Sequence, residues 1–101
     1  ALGRVVVRAI VPAPEGSGRA AARRLREEGY AVTEMKGRGR SGPVEVLSVV
    51  VARRHANAVA ERIESVAPAS FITVEEIRTS RGGMLRPLPA SQALKSEQVR
   101  K

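Results

Sequence analysis

One segment of the chain combines glycines with positive side chains and a hydroxyl, and its residues are Lys36, Gly37, Arg38, Gly39, Arg40, Ser41 and Gly42. Glycines expose backbone N–H groups, and Lys and Arg add positive charge, so such a segment can bind a phosphate. The spacing also matches the G-x-G-x-x-G of dinucleotide-binding folds, but that motif must open a helix, whereas here a strand follows. The sequence therefore predicts an anion-binding loop over residues 37–43, with a solvated hairpin connection as the alternative.

A second basic spot follows the last predicted strand, and its candidate ligand-binding residues are Arg78, Arg81, Gly82 and Gly83. If that strand lies at a sheet edge, its end can reach a neighbouring subunit, and the two basic spots can then share one intersubunit site. The alternative is a plain strand exit. A single Arg-Gly-Gly triplet is weak evidence for an RNA-binding tail, because such tails rely on many repeats.

Other kinds of chemistry lack their usual residues. All ten acidic residues are Glu, there is no Asp or Cys, and His55 is the single histidine. Metal sites and catalytic triads use the residue types that are absent or scarce here. The adjacent acids of Glu27-Glu28 and Glu75-Glu76 point to different sides of a helix or strand. We therefore expect no enzymatic activity, no catalytic residue, no metal ion and no cofactor.

The net charge of +8 favours anionic partners. Arg19, Arg23, Arg24 and Arg26 form a further basic cluster, which could contact the phosphates of nucleic acid or of lipids in a sequence-blind way. Tyr30 and Phe71 are the only aromatic residues, so platforms for stacking bases are scarce. Nucleic-acid binding is therefore kept as an alternative to binding of a small anion.

The hydrophobic pattern predicts the elements that position these residues, in the order βαββαβ. The predicted strands cover residues 4–11, 30–36, 44–52 and 70–79, and the predicted helices cover residues 19–28 and 56–67. Gly29 is expected to end the first helix in a left-handed conformation, and Pro68 to end the second. Residues 1–83 then form one domain, and residues 84–101 a flexible basic tail.

Two βαβ units joined in this way give an α+β, ferredoxin-like sandwich, in which a four-stranded antiparallel sheet carries both helices on one face. The first and third strands lie in the middle, and both contain unbroken runs of Val. A sheet with one wet face should alternate apolar and polar residues. We therefore expect the second face to be buried in a dimer or trimer, although strand ends and the tail could also cover it.

Several stretches resemble the soluble C-terminal domain of an uncharacterised bacterial membrane-protein family, a domain also found after YitT-type membrane regions. The stretches are residues 4–8, 28–33, 37–44, 46–47, 49–51 and, most closely, 67–78 followed by Arg81-Gly82-Gly83. The resemblance covers residues 2–86. It implies that this domain is attached to a membrane domain outside the chain, at the cell membrane and on its cytoplasmic side.

That domain is similar in topology to PII-like signalling proteins, which are ferredoxin-like trimers that bind nucleotides or other small anions between subunits. The resemblance implies a non-enzymatic regulatory or ligand-sensing domain, with the segment from Gly37 to Pro43 in the place of the PII signalling loop. The alternatives are a basic nucleic-acid-binding module and a purely structural oligomerisation domain.

Overall fold

The computed structural model describes residues 3–13, 16–78 and 81. It contains four strands and two helices in the predicted order βαββαβ. They are β1 (Arg4–Pro12), α1 (Ser17–Glu27), β2 (Val32–Gly39), β3 (Gly42–Ala52), α2 (Ala56–Val66) and β4 (Phe71–Glu76), with a 3₁₀ turn at Arg53–His55 before α2. The described helices are short, and none is long and apolar enough to cross a membrane.

The four strands form one antiparallel sheet in the order β2-β3-β1-β4. The predicted placement of the first and third strands at the centre is therefore confirmed, and β2 and β4 are the edges. Residues Val5 and Val7 of β1 pair with Val51 and Val49 of β3. These β-branched side chains are stiff and suit a pleated, buried surface, which explains why the Val runs occupy the centre.

Both helices pack on the same face of the sheet. Alternate residues of β1 and β3 are buried there, and they form one hydrophobic core with the apolar sides of α1 and α2. The core consists of Val5, Val7, Ala9, Val11, Ala21, Ala22, Leu25, Leu47, Val49, Val51, Ala56, Val59, Ile63 and Ala67. The predicted ferredoxin-like α+β architecture is thus confirmed.

The ends of the first helix follow from its glycines. Gly29 has a φ of 96°, in the left-handed region, as the sequence predicts, and α1 ends at Glu27, one residue before the predicted end. At the other end, Gly16 has a φ of 71° and precedes a helix that begins at Ser17, two residues earlier than predicted. The predicted tail over residues 84–101 lies outside the described residues.

Candidate functional site

The connection between β2 and β3 is a tight hairpin and is shorter than the predicted loop over residues 37–43. The strand β2 continues through Gly39, β3 begins at Gly42, and only Arg40 and Ser41 form the turn. Gly42 has a φ of 127°, a conformation that L side chains rarely adopt. The prediction of a seven-residue loop was therefore wrong, because the glycines here continue the ladder.

The first two glycines of the segment make room for a neighbouring side chain. A Cβ added to Gly37 would lie 3.4 Å from Cγ2 of Val44, and one added to Gly39 would lie 3.2 Å from Cγ1 of the same residue. Val44 is the register partner of Gly37. This close cross-strand packing gives the glycines a structural role, and the cationic side chains are then the principal candidates for binding an anion.

Alternate residues of a strand lie on the same face of the sheet, so Lys36, Arg38 and Glu34 all lie on the face that carries the helices. The helix α1 runs beside this row in the opposite direction. Its end is fixed by Arg26, whose Nη2 donates to the carbonyl oxygen of Val32 at 2.9 Å. The structure therefore places two predicted site residues of β2 on the same face of the sheet as the basic cluster of α1.

The start of α1 lies at the level of Lys36. A Cβ on Gly18 would collide with the carboxyl group of Glu45, which is the register partner of Lys36. The Oε1 atom of Glu45 and the hydroxyl of Ser17 are buried there without a hydrogen-bond partner among the described residues. The helix α1 therefore starts over β3 at Gly18 and lies beside β2 at Arg26.

A basic groove of about 550 Å³ lies along this helix–strand boundary, and it is lined by Arg19, Arg23, Arg26, Glu27 and Glu34. At one end the guanidinium of Arg26 donates to Glu34 at 2.6 Å. Towards the other end, Arg19 and Arg23 make no ion pair with any residue in the described part of the chain. The spacing of 19, 23 and 26 on one helical face could have indicated this groove, once the helix was placed next to β2.

The second predicted basic spot lies at the far corner of the sheet. Arg78 and Arg81 are exposed and follow the end of β4, near the beginning of β1, because Glu76 pairs with Val5. The β2–β3 hairpin lies near the end of β1, because Val44 pairs with Pro12. One subunit therefore does not bring the two spots together. Gly82 and Gly83 lie outside the described residues.

The face of the sheet opposite the helices carries an apolar row that crosses all four strands. The row runs through register partners in the order Met35, Val46, Ile10 and Phe71. Met35, Ile10 and Phe71 are 54%, 37% and 65% exposed. Three inter-strand spacings make the row about 14 Å long. This is an uncovered apolar stripe on a face whose burial the sequence predicts.

The adjoining row of the same face is polar. Arg8 lies between its register partners Ser48 and Thr73, and its Nη1 atom donates to both carboxylate oxygens of Glu75 at 2.9 Å. An apolar stripe beside a charged pair is the pattern expected of a specific interface rather than of a domain core.

No group of three or more His, Cys, Asp or Glu side chains that could hold a metal ion occurs within residues 3–13, 16–78 and 81. The imidazole of His55 instead packs edge-on against the ring of Tyr30, with 6.3 Å between ring centres.

Residues 30–82 match the model of a family described as an uncharacterised protein conserved in bacteria, DUF2179. The chain belongs to this family. The matched region begins at Tyr30 and includes the β2–β3 hairpin, α2 and β4.

Relatives with the same kind of description extend the similarity to α1. The UPF0316 protein of Methanospirillum hungatei is 34% identical over 83 residues, which are 82% of this chain and 40% of the relative. The UPF0316 protein of Desulfitobacterium hafniense is also 34% identical over 83 residues, and 46% of its length is covered. The chain thus spans less than half of the length of these relatives.

Similar solved structures support the fold alone, because their sequence identities are low. A protein of unknown function from Pediococcus pentosaceus has a TM-score of 0.72 and 11% identity, over 82% of this chain and all of that one. The protein CutA1 from Oryza sativa has a TM-score of 0.56 and 15% identity, over 79% and 84% of the two chains. The structural neighbours thus include CutA and share the PII-like architecture.

Proposed function

We propose that this chain is a non-enzymatic, self-associating domain that senses a small anionic or phosphorylated ligand. The observation that carries the proposal is the exposed apolar row from Met35 to Phe71, on a sheet whose opposite face is already covered by both helices. Exposed apolar patches rimmed by polar residues mark interaction sites. A dimer or trimer buries this row between subunits.

A second copy of the chain is the occupant that best fits the open face. The row from Met35 to Phe71 is apolar from one edge of the sheet to the other. The same face also carries the cation of Arg8 and the carboxylate of Glu75, so two copies of this face can be complementary to each other. Strand-on-strand packing of two such faces places the sheets about 10 Å apart, as in other sandwiches.

Assembly would also bring together the two basic spots, which are the β2–β3 hairpin and the end of β4. Because the β2–β3 hairpin and the end of β4 lie at opposite corners of one subunit, the hairpin of one copy can meet Arg78 and Arg81 only from another copy. The anion site proposed here therefore consists of Lys36, Arg38 and Arg40 of one subunit, with the β4 end of its neighbour.

The sensing role includes attachment to a membrane domain. The relatives are more than twice as long as the part that this chain matches, which leaves room for a further domain. The resemblance to membrane-tethered domains suggests that this part is a membrane domain and that the sensor lies on its cytoplasmic side. Ligand occupancy would then be passed to the membrane domain through the assembled sheets.

Sedimentation velocity over a range of protein concentrations tests the assembly. We expect the wild-type chain to form a dimer or trimer and the Phe71→Lys variant to be monomeric with an unchanged circular-dichroism spectrum, since Phe71 is largely exposed. Val74→Lys is the matched control, because Val74 is 50% exposed on the same strand but lies on the other face. A wild-type chain that stays monomeric at every concentration would contradict the assembly.

Thermal unfolding with a panel of nucleotides and phosphorylated metabolites tests ligand binding, because a ligand of the native state raises the unfolding midpoint. We expect a saturable shift that survives moderate salt and that weakens in Arg38→Ala and Arg40→Ala, but not in Arg54→Ala at the other end of β3. Stabilisation only by duplex DNA, lost on adding salt, would instead support a basic nucleic-acid-binding module.

A further inference from the structure

We propose that the groove between α1 and β2 binds the polyphosphate end of the ligand, a di- or triphosphate group, within a single subunit. This inference rests on the proposed anion-sensing function and names its ligand class. It adds Arg19 and Arg23 of α1 to the site, whereas the sequence pattern indicated for their cluster only a sequence-blind contact with the phosphates of nucleic acid or of lipids.

Two cations of α1 line the unpaired part of the groove, and two further cations of β2 lie on the same face of the sheet. On α1, Arg19 and Arg23 are one turn apart, which is about 6 Å along the helix axis. On β2, Lys36 and Arg38 are two residues apart on the same face, which is about 6.6 Å along the strand. Because Arg19 and Arg23 both line the groove, a short chain of phosphates can contact both guanidinium groups, whereas a single phosphate reaches one of them.

These four side chains are available for a ligand. None of them makes an ion pair or a side-chain hydrogen bond with another described residue, whereas Arg24, Arg26, Arg53 and Arg62 are each paired with a glutamate. Unpaired cations gathered along one groove repel one another, and an anion relieves that repulsion. The groove volume of about 550 Å³ lies within the range of small-molecule sites.

The acidic end of the groove favours a compact polyanion over an extended one. Glu27 and Glu34 line the end that holds Arg26. A nucleic-acid backbone or a flat anionic membrane laid along the groove would bring phosphates against these carboxylates, and like charges in contact are unfavourable. A short phosphate chain held by Arg19 and Arg23 stays towards the other end of the groove.

Isothermal titration with inorganic tripolyphosphate, pyrophosphate and orthophosphate at moderate salt tests this inference. We expect saturable binding that decreases in the order tripolyphosphate, pyrophosphate, orthophosphate. The Arg19→Gln and Arg23→Gln variants should each bind tripolyphosphate about tenfold more weakly or worse, since each loses a charge-assisted contact. Arg54→Gln is the matched control, because it removes the same charge from an exposed position without an ion pair.

The monomeric Phe71→Lys variant separates this inference from the proposed function. Retained binding by this variant supports a site within one subunit. Binding that is lost in the monomer, or that is unchanged in Arg19→Gln and Arg23→Gln but lost in Arg38→Gln, would overturn the groove assignment and leave the intersubunit sensor standing. Equal affinity for all three phosphates, or no saturable binding of any of them, would also overturn it.

Discussion

The side chain of Arg62 on α2 joins the two helices by donating from Nε to both carboxylate oxygens of Glu28, at 2.9 and 3.0 Å. Glu28 directly follows α1, and its Oε2 atom also accepts from Nε of Arg24 at 3.1 Å. The hydrogen bond from Arg62 is the main cause that lowers the pKa of Glu28, and partial burial opposes it. The same pair raises the pKa of Arg62.

This ion pair should make stability depend on pH. Because the pKa of Glu28 is lower in the folded state than its ordinary value of 4.5, its contribution is complete above that value and is lost as the pH falls below it. We expect Glu28→Gln to lower the unfolding midpoint at neutral pH and to match the wild type in strong acid. Thermal unfolding across acidic and neutral pH measures the difference.

The Glu64→Gln variant controls for the loss of a charge, since Glu64 is exposed on α2 and makes no ion pair with a described residue. The difference between its unfolding midpoint and that of the wild type should stay constant over the whole pH range. A constant gap between Glu28→Gln and the wild type, extending into strong acid, would show that Glu28 does not act through its charge.

The contact between Gly18 and Glu45 should decide whether Gly18→Ala raises or lowers the free energy of unfolding. Gly→Ala in a helix normally stabilises by up to about 1 kcal/mol. At position 18, however, the new Cβ would lie 3.0 Å from the Cβ of Glu45 and would collide with its carboxyl group. We expect Gly18→Ala to destabilise the fold by about 1–3 kcal/mol, measured by urea unfolding, because overpacking forces neighbouring groups to move.

A double-mutant cycle with Glu45→Ala isolates that contact. Removing the carboxyl group leaves only the Cβ of residue 45 near position 18. In this background, Gly18→Ala should therefore lower the free energy of unfolding by clearly less. The two substitutions are neighbours and should therefore be non-additive. Additivity within about 0.5 kcal/mol would mean that the steric contact does not govern stability.

Leu25 should be the main anchor of α1 on the sheet. The buried residues of this helix are Gly18, Ala21, Ala22 and Leu25, so Leu25 is the only large one. We expect Leu25→Ala to destabilise by about 2–5 kcal/mol in urea unfolding, the range for large-to-small core substitutions. A cost below about 1 kcal/mol would indicate that backbone and ion-pair contacts hold α1 instead.

The sequence predicted the elements that depend on local patterns. Runs of stiff Val side chains favour a buried central strand, and they occur at Val5 to Val7 and at Val49 to Val51. The apolar residues of α2 repeat with the helical period. These signals are contained in single segments, so the order βαββαβ and the central position of β1 and β3 follow without knowledge of the tertiary structure.

The hairpin and the groove could not be predicted in the same way. Gly37 and Gly39 indicate a loop because glycine weakens an isolated strand, yet both pack against Val44 on the neighbouring strand. Likewise, Arg23 and Glu34 are 11 residues apart in the sequence and line one groove only because α1 packs next to β2. Both features depend on contacts between elements, which a one-dimensional pattern does not contain.

The ion pair between Arg8 and Glu75 should matter more in the assembled protein than in a single subunit. Its side chains are 38% and 52% exposed, and exposed pairs contribute about 0–1 kcal/mol to folding. The proposed interface would cover both side chains, so Glu75→Gln would leave Arg8 buried without its carboxylate, which is strongly unfavourable. We therefore expect Glu75→Gln to weaken association, as measured by sedimentation, far more than it lowers stability.

The monomeric Phe71→Lys background supplies the comparison. There Arg8 stays in water, so adding Glu75→Gln should change the free energy of unfolding by less than about 1 kcal/mol. In the associating wild-type background, the same substitution should shift the dissociation constant by tenfold or more, about 1.4 kcal/mol. If Glu75→Gln left association unchanged, the interface would have to lie away from the Arg8 row, and the open face would not be the surface where copies meet.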